Sequence, residues 1–496
     1  MEYFLTPGQV QNLPEAEAEQ LTKLMEAYTS HYSKNEEKNR YYEGKIPLAE
    51  VNLGIALPEG MRGLEIGCSW GAKTVDVLAA RSMFDGFVGE NGNSVTEIED
   101  IVESNRLIYE YQKACRDELK YGCTFVTLSA DPEIGCKIRF HSPQTATALW
   151  DGEKGRIGCG FAIIDTAPTN DPIMHGWKPT HINFYNDDAV WEIVRDGNIW
   201  TATRFPHRMG RPMMEALVWN ATSSKPFGRS RIKEPIRRLI QGYVRTMANA
   251  TIALEFSTAP QKYLLGLTDD QYDNVVNSKF KQYVGNILAA TTNPETGEKP
   301  TYGQLSQGNI SPHVEMLRIL STQYSAATGL TVTDTGVVND ANPTSSDAIL
   351  AQSQTLVMMA EQLNTGNGDA LRTIAQMALA VSNSTTIEAL SDQQKNIIAH
   401  FKNPAMPSVS TTADAAIKIA SARQNFAETD VFAEMIGFDP ADIRRIKAQE
   451  QRRRGAQLLS QIDNDNRNRN MGQLYPQAEN DQRNGGEQVQ AVPTNA

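Results

Sequence analysis

Nowhere in the 496 residues is there a run of about 18 consecutive apolar side chains, the length a helix needs to cross a bilayer. The opening residues MEYFLTPGQVQNLPEAEAEQ lack the basic and apolar regions of a secretory leader, so the chain is expected to stay in the compartment where it is made. Cysteine is scarce. The five present (Cys68, Cys115, Cys123, Cys136, Cys159) are odd in number, form no CxxC and meet no histidine pair at zinc spacing. That excludes a disulfide framework and a zinc module, and predicts reduced, buried thiols. Positive charge is also short: 47 Lys and Arg face 59 Asp and Glu, a net charge of −12. A protein that grips DNA over its whole surface carries a basic field, because neutralised phosphates release counterions; tight binding of that kind is not expected here. No HExxH occurs. His175 and His181 lie near Asp171, Asp187 and Asp188, but at no metal-ligand spacing, so no catalytic residue, metal or cofactor is expected.

What is present, 40% hydrophobic and 21% charged residues, supports several cores and more than one domain. Leu21, Leu24, Met25, Tyr28 and Tyr32 recur at helical spacing, and a longer helix is predicted from about Glu97 to Lys120. Then the period changes. GCTFVTLS, CKIRF, TATALW, RIGCGFAIID, THINFYN, AVWEIVR and IWTATRF are short β-rich runs punctuated by Gly, Asp, Asn and Pro, which predicts an antiparallel meander and not a βαβ series. From Gly228 a helix places Ile232, Ile236, Leu239, Ile240, Tyr243, Val244, Met247, Thr251 and Leu254 on one face, with Arg229, Arg231, Lys233, Arg237, Arg238 and Arg245 around its first half. Those cations could touch phosphate, face solvent or make subunit salt bridges. A mixed segment, 260–309, contains strand-like KYLLGL and QYVGNILAA. A helix follows with a narrow seam of Val314, Leu317, Leu320 and Tyr324, and then the small, polar loop GLTVTDTGVVNDANPTSSDAIL. Asn342, Pro343 and a Thr344/Asp347 capping box signal the start of a helix from about Ser346 to Val381, with a bend expected at Asn364–Gly368. Beyond Ser460 apolar residues nearly vanish, which predicts a disordered tail.

One stretch, GLEIGCSWGAKTVDVLAAR, invites a ligand. As a Walker A loop it fails, because Ala72 stands where the second glycine belongs before Lys73 and Thr74, although Asp165 could end a Walker B-like strand. LEIGCSWG resembles the first motif of S-adenosylmethionine-dependent methyltransferases, with Glu90 at about the distance of a ribose-binding acid. Ser69 replaces their mid-turn glycine, however, and the following β meander departs from their alternation of strands and helices. The remaining reading is a loop between two packed elements.

From Tyr41 to Gly437 the order of features resembles the portal proteins of tailed bacteriophages, in the siphophage and actinophage branch. The resemblance rests on YYEGKIPL, VDVLAARSMFDGF before the meander, FGRSRIKEPIRRLIQGYVRTM leading to FSTAPQKYLLGL, and NPTSSDAILAQSQTLV opening a long helix. It implies an α+β portal fold: a wing at 1–228, a first stem helix at 229–257, a clip at 258–310 and a second stem helix at 311–328. A tunnel loop at 329–344, a long bent helix returning to the wing at 345–410, a helical crown at 411–459 and a disordered tail at 460–496 complete it. In this alignment GLEIGCSWGAKT falls where portals hold no ligand, so the turn is expected to be structural; a methyltransferase is the alternative.

The resemblance further implies a homo-oligomeric ring, a dodecamer, at one capsid vertex of the virion, assembled in the host bacterial cytoplasm. Its partners would be the terminase large subunit, the major capsid protein and scaffold, a head-completion adaptor and passing double-stranded DNA, with no membrane. Twelve copies at −12 would carry −144, and with a screening length of about 8 Å such a wall repels DNA only at close range. The tunnel-loop residues expected to face DNA are Thr331, Thr333, Asp334, Thr335, Val337, Val338, Asn339 and Asp340, a set without Lys or Arg.

Overall fold

The computed structural model describes residues 4–47, 66–89, 96–169, 177–258, 262–265, 297, 299, 301–304, 309–336, 346–405, 409–423, 425–438 and 440–474. The chain divides into two units, Met1–Ala405 and Met406–Ala496.

In the first unit, α1 (Glu15–Tyr42) starts after Pro14, with Glu15 and Glu17 in its first turn where the helix dipole favours acids. It buries the stripe Leu21, Leu24, Met25 and Tyr28 in a core completed by Phe161, Ile182, Phe184, Trp191 and Ile193. A short helix α2 (Trp70–Ala79) and strand β1 (Phe84–Val88) follow. The single helix predicted for 97–120 is two, α3 (Thr96–Ser104) and α4 (Leu107–Tyr121), because Arg106 turns left-handed at φ 50°. Asn105 causes the break: its side chain donates to the carbonyls of Ile101 and Cys136 and accepts from the Ile138 amide at 2.8 Å, offering the backbone partners outside the helix.

All seven predicted strands form: β2 (Cys123–Asp131), β3 (Gly135–His141), β4 (Ala146–Asp151), β5 (Arg156–Pro168), β6 (Trp177–Tyr185), β7 (Ala189–Asp196) and β8 (Ile199–Pro206). An eighth, β9 (Met214–Val218), escapes sequence reading because MEALV is made of helix formers; pairing with β2, Phe125 opposite Ala216, overrides that preference. The strands make two antiparallel sheets, β3-β2-β9 and β4-β5-β6-β7-β8. The fold class is therefore α+β, as expected.

Helices α5 (Glu234–Thr258) and α6 (Ser311–Thr328) pack together, and Gly242 leaves room for Leu320, whose Cδ2 would lie 3.2 Å from an added Cβ. Between them β10 (Lys262–Leu265) pairs antiparallel with β11 (Thr301–Gln304); QYVGNILAA lies outside the described residues. Helix α7 (Ser346–Ser382) stays helical through Asn364–Gly368, where the sequence predicts an interruption with a bend. Strand β12 (Ile398–Phe401) then pairs antiparallel with β1, Phe84 opposite Phe401, returning the chain to the elements that precede the meander.

The second unit holds α8 (Val409–Ala422), α9 (Asp430–Ile436) and α10 (Pro440–Leu474). Thr429 caps α9 by accepting from the Phe432 amide, and Gly437 ends it at φ 102°. Helix α10 runs to Leu474, past Ser460, where disorder is predicted, and it carries no apolar stripe.

Candidate functional site

The Gly-containing turn decides between ligand and packing. Residues Ile66–Ser69 are not a strand, and α2 begins at Trp70. A Cβ built on Gly71 would lie 2.0 Å from the Tyr41 carbonyl oxygen, so this glycine exists to let α2 meet the end of α1 backbone to backbone. Thr74 is buried, and its hydroxyl lies 2.9 Å from the Trp70 carbonyl oxygen and 2.7 Å from the Tyr324 hydroxyl. Gly71 and the Thr74 hydroxyl are thus both engaged in packing within the protein.

What the turn packs against is the base of the predicted tunnel loop. Trp70 stacks on Tyr324 of α6, with centroids 4.5 Å apart at 25°, and its Nε1–H donates to the Thr335 carbonyl at 3.1 Å. Tyr324 donates to the Trp70 carbonyl at 2.6 Å, and burial pushes its phenol far above the usual range. After Gly329, left-handed at φ 73°, residues Val332–Thr335 form a 3₁₀ turn closed by a reciprocal Thr331/Asp334 capping box. Ser321 and Thr335 hydroxyls lie 2.6 Å apart in the interior. Of the predicted loop residues, Thr331 and Asp334 are thus engaged with each other, Thr335 is buried and Thr333 is exposed; Val337, Val338, Asn339 and Asp340 lie outside the described residues.

The six basic residues near the start of α5 separate into distinct environments. Arg231 is 6% exposed and has no ion pair among the described residues. Its Nε donates to the Thr74 carbonyl at 2.7 Å, its Nη2 to the Thr328 carbonyl at 2.8 Å, and its Nη1 lies 3.4 Å from Met359 Sδ. Burial lowers its pKa to about 10, which leaves it charged at neutral pH. One guanidinium therefore joins α2, the C-terminal end of α6 and α7, and the partial negative charge of the α6 terminus favours it there. Arg237 pairs with Glu37 and with Glu234 at 2.6 Å, and Arg238 with Glu234 at 2.8 Å. Arg229 and Lys233 are exposed, and Arg245 is half-buried.

A second polar cluster gave no motif. Where α7 crosses α4, Asn367 donates to Glu118 Oε2 at 2.8 Å and to the Tyr111 hydroxyl at 3.0 Å, while Ser82 donates to Asn364 Oδ1 at 2.6 Å. Glu118 is fully buried, and desolvation raises its pKa to about 8. These asparagines belong to the NTGNG segment and hold α7 against the core through its two glycines. The legible signal was spacing: Glu118 falls on the same helical stripe as Tyr111, Ala114 and Cys115.

All five cysteines are free and buried, and burial pushes the Cys68 thiol up to about 12. His181 Nε2 lies 3.1 Å from Glu192 Oε1 and 3.1 Å from Asn183 Oδ1. His175 lies outside the described residues, and among those described no three metal-binding side chains gather.

Residues 21–455 match the family described as phage portal protein, SPP1 Gp6-like. No curated protein matches the chain. Similar solved structures include a chain of the virion of a native gene transfer agent particle, 12% identical, covering 80% of this chain and 95% of that one with a TM-score of 0.44. Another is from the neck of an empty gene transfer agent particle computed with C6 symmetry, 12% identical, with 80% and 99% coverage and a TM-score of 0.45. A third, from the neck of the native particle computed with C12 symmetry, is 12% identical with 75% and 90% coverage and a TM-score of 0.39.

Proposed function

Because this chain belongs to the SPP1 Gp6-like family of phage portal proteins, we propose that twelve copies close into a ring at one capsid vertex and form the channel through which double-stranded DNA enters and leaves. The role is structural and not catalytic, and no cofactor takes part. The clip at 258–310 docks the terminase large subunit during packaging and a head-completion adaptor afterwards; the wing meets the major capsid protein and scaffold. The ring assembles in the host cytoplasm and remains in the virion. The observation that carries this reading is the family match across 21–455, supported by the way α2, α5, α6 and the 331–335 turn converge on Trp70 and Arg231.

Ring closure needs a heterologous interface, one face of each copy against the opposite face of the next. A conduit must also let DNA slide, and strong phosphate neutralisation along the loop would stall it. The net charge of −12 and the absence of Lys and Arg from 329–344 suit that requirement. The test is electron microscopy and mass measurement of the protein alone and with scaffold: a closed ring with an axial hole is expected, and monomers alone under both conditions would refute the proposal. Substituting Val337, Val338 or Asp340 is expected to lower the DNA content of heads without altering ring assembly. Unchanged DNA content would remove the tunnel-loop assignment.

A further inference from the structure

The acidic balance of the chain is uneven. Residues 443–461, within α10, carry six basic side chains (Arg444, Arg445, Lys447, Arg452, Arg453, Arg454) against one acid, Glu450, which gives 6 − 1 = +5. Since the whole chain has 47 basic and 59 acidic residues, the remainder holds 41 − 58 = −17. Every residue from Arg444 to Gln461 is exposed. At 100° per residue the six cations fall on all sides of the helix, and no apolar stripe offers a face to bury. Arg445 pairs with Asp442 at 3.2 Å and Lys447 with Asp430 at 2.6 Å, whereas Arg452, Arg453 and Arg454 have no ion pair among the described residues. Three adjacent, solvated guanidinium groups repel one another; an external polyanion would relieve that repulsion.

We propose that this part of α10 is a contact site for the phosphate backbone of double-stranded DNA, bound without regard to base sequence. From Arg444 to Arg454 the helix rises about 15 Å, the length over which a duplex presents roughly nine phosphate charges. Arginine suits the partner because its planar fork engages phosphate oxygens in pairs. Cations on every side of the helix suit a uniform line of charge better than a shaped pocket, so base edges are not read. The inference concerns this chain's contact with DNA and deepens the portal reading, on which its biological context rests. It gives DNA one local foothold on a protein that otherwise repels it.

The experiment is fluorescence anisotropy of the full-length protein with two labelled duplexes of unrelated sequence, titrated across 50–200 mM salt (a window chosen from the general behaviour of phosphate contacts), with the assembly state of each sample measured by mass. The wild type should bind both duplexes equally, with affinity falling steeply as salt rises. R452Q/R453Q/R454Q should bind at least about tenfold more weakly, with a log–log salt slope shallower by about 3. R452K/R453K/R454K should keep the slope, which separates charge from damage to the helix. An unchanged affinity and slope in the glutamine variant would overturn the proposal, as would loss of binding in R229Q/K233Q/R238Q but not in α10. Retention on polyglutamate without DNA binding would also overturn it and assign the helix to an acidic protein. Rings that bind DNA independently of these arginines leave the portal reading standing; monomers that bind through them uphold this contact and count against the ring.

Discussion

Asn367 Nδ2 donates to Glu118 Oε2 at 2.8 Å in the interior, joining the middle of α7 to α4, while Glu118 Oε1 and Asn367 Oδ1 have no hydrogen-bond partner among the described residues. A charged carboxylate is expensive in such a place, which is why burial raises the Glu118 pKa from 4.5 to about 8. A proton on the acid supplies the donor that the site lacks.

The sign of the resulting pH dependence is opposite to that of an ion-paired acid. Between pH 4.5 and 8 the folded protein holds a proton at Glu118 that the unfolded chain has released, so this group's contribution to stability falls as pH rises through that window and levels off above it. The total is on the order of a few kcal/mol. His141, with its pKa lowered to about 4 by burial, acts the other way and costs stability as pH falls below 6.5. The difference between wild type and Glu118→Gln isolates the acid: urea midpoints should converge near pH 5 and separate in favour of the glutamine variant by pH 8. A pH-independent difference would refute the assignment.

Gly71 and Gly67 distinguish a packed turn from a ligand turn. An alanine at position 71 would put its Cβ 2.0 Å from the Tyr41 oxygen, against backbone that cannot rotate away. Gly71→Ala should cost more than about 2 kcal/mol. Nothing lies within 4 Å of a Cβ on Gly67, and its φ is outside the left-handed region, so Gly67→Ala should stay within about 0.5 kcal/mol of wild type. Thermal melts of the two variants check this; a nucleoside-binding turn would give calorimetric heat with S-adenosylmethionine that vanishes in Gly67→Val.

Arg231 is a buried cation satisfied by carbonyls. Arg231→Met leaves the Thr328 carbonyl at the end of α6 without its donor and removes the tie between α2 and α7, so a loss of about 2–4 kcal/mol is expected in denaturant unfolding. Arg231→Lys should recover less than half, because one ammonium cannot span the separate Thr74 and Thr328 oxygens as the fork does. Full recovery by lysine would mean that charge alone matters there.

How much of this was legible beforehand follows from the range of the interactions. The strands β2 to β8 announce themselves through alternation and turn residues, both local. Strand β9 does not, since its MEALV composition favours helix and only pairing with β2 makes it extended. The β1–β12 ladder joins Phe84 to Phe401 across more than 300 residues, and no local pattern encodes that. Arg231 sits in a run of basic residues that look alike in sequence. Its difference lies in the backbone, where its amide bonds the Leu119 carbonyl at 2.8 Å and turns the side chain inward. The Asn105 break was hidden because asparagine is tolerated in helices until its side chain finds better partners.

The turn at 331–335 is held from two directions, which makes its fixation measurable. Trp70 Nε1–H donates to the Thr335 carbonyl at 3.1 Å, and the Ser321 and Thr335 hydroxyls lie 2.6 Å apart. Trp70→Phe keeps a ring against Tyr324 but removes the donor, a loss of about 1–2 kcal/mol. Ser321→Ala removes the second tie at similar cost. Because both act on one turn, the double variant should depart from additivity by about 0.5 kcal/mol or more. Hydrogen exchange should locate the effect: the amides of Asp334 and Gly336, bonded within the turn to Thr331 and Thr333, should exchange faster in each variant while those of β6 and β7 keep their rates. Equal exchange at Asp334 in wild type and both variants would show that the turn stands without Trp70 and Ser321, and the loop that follows it would then have no fixed base at this junction.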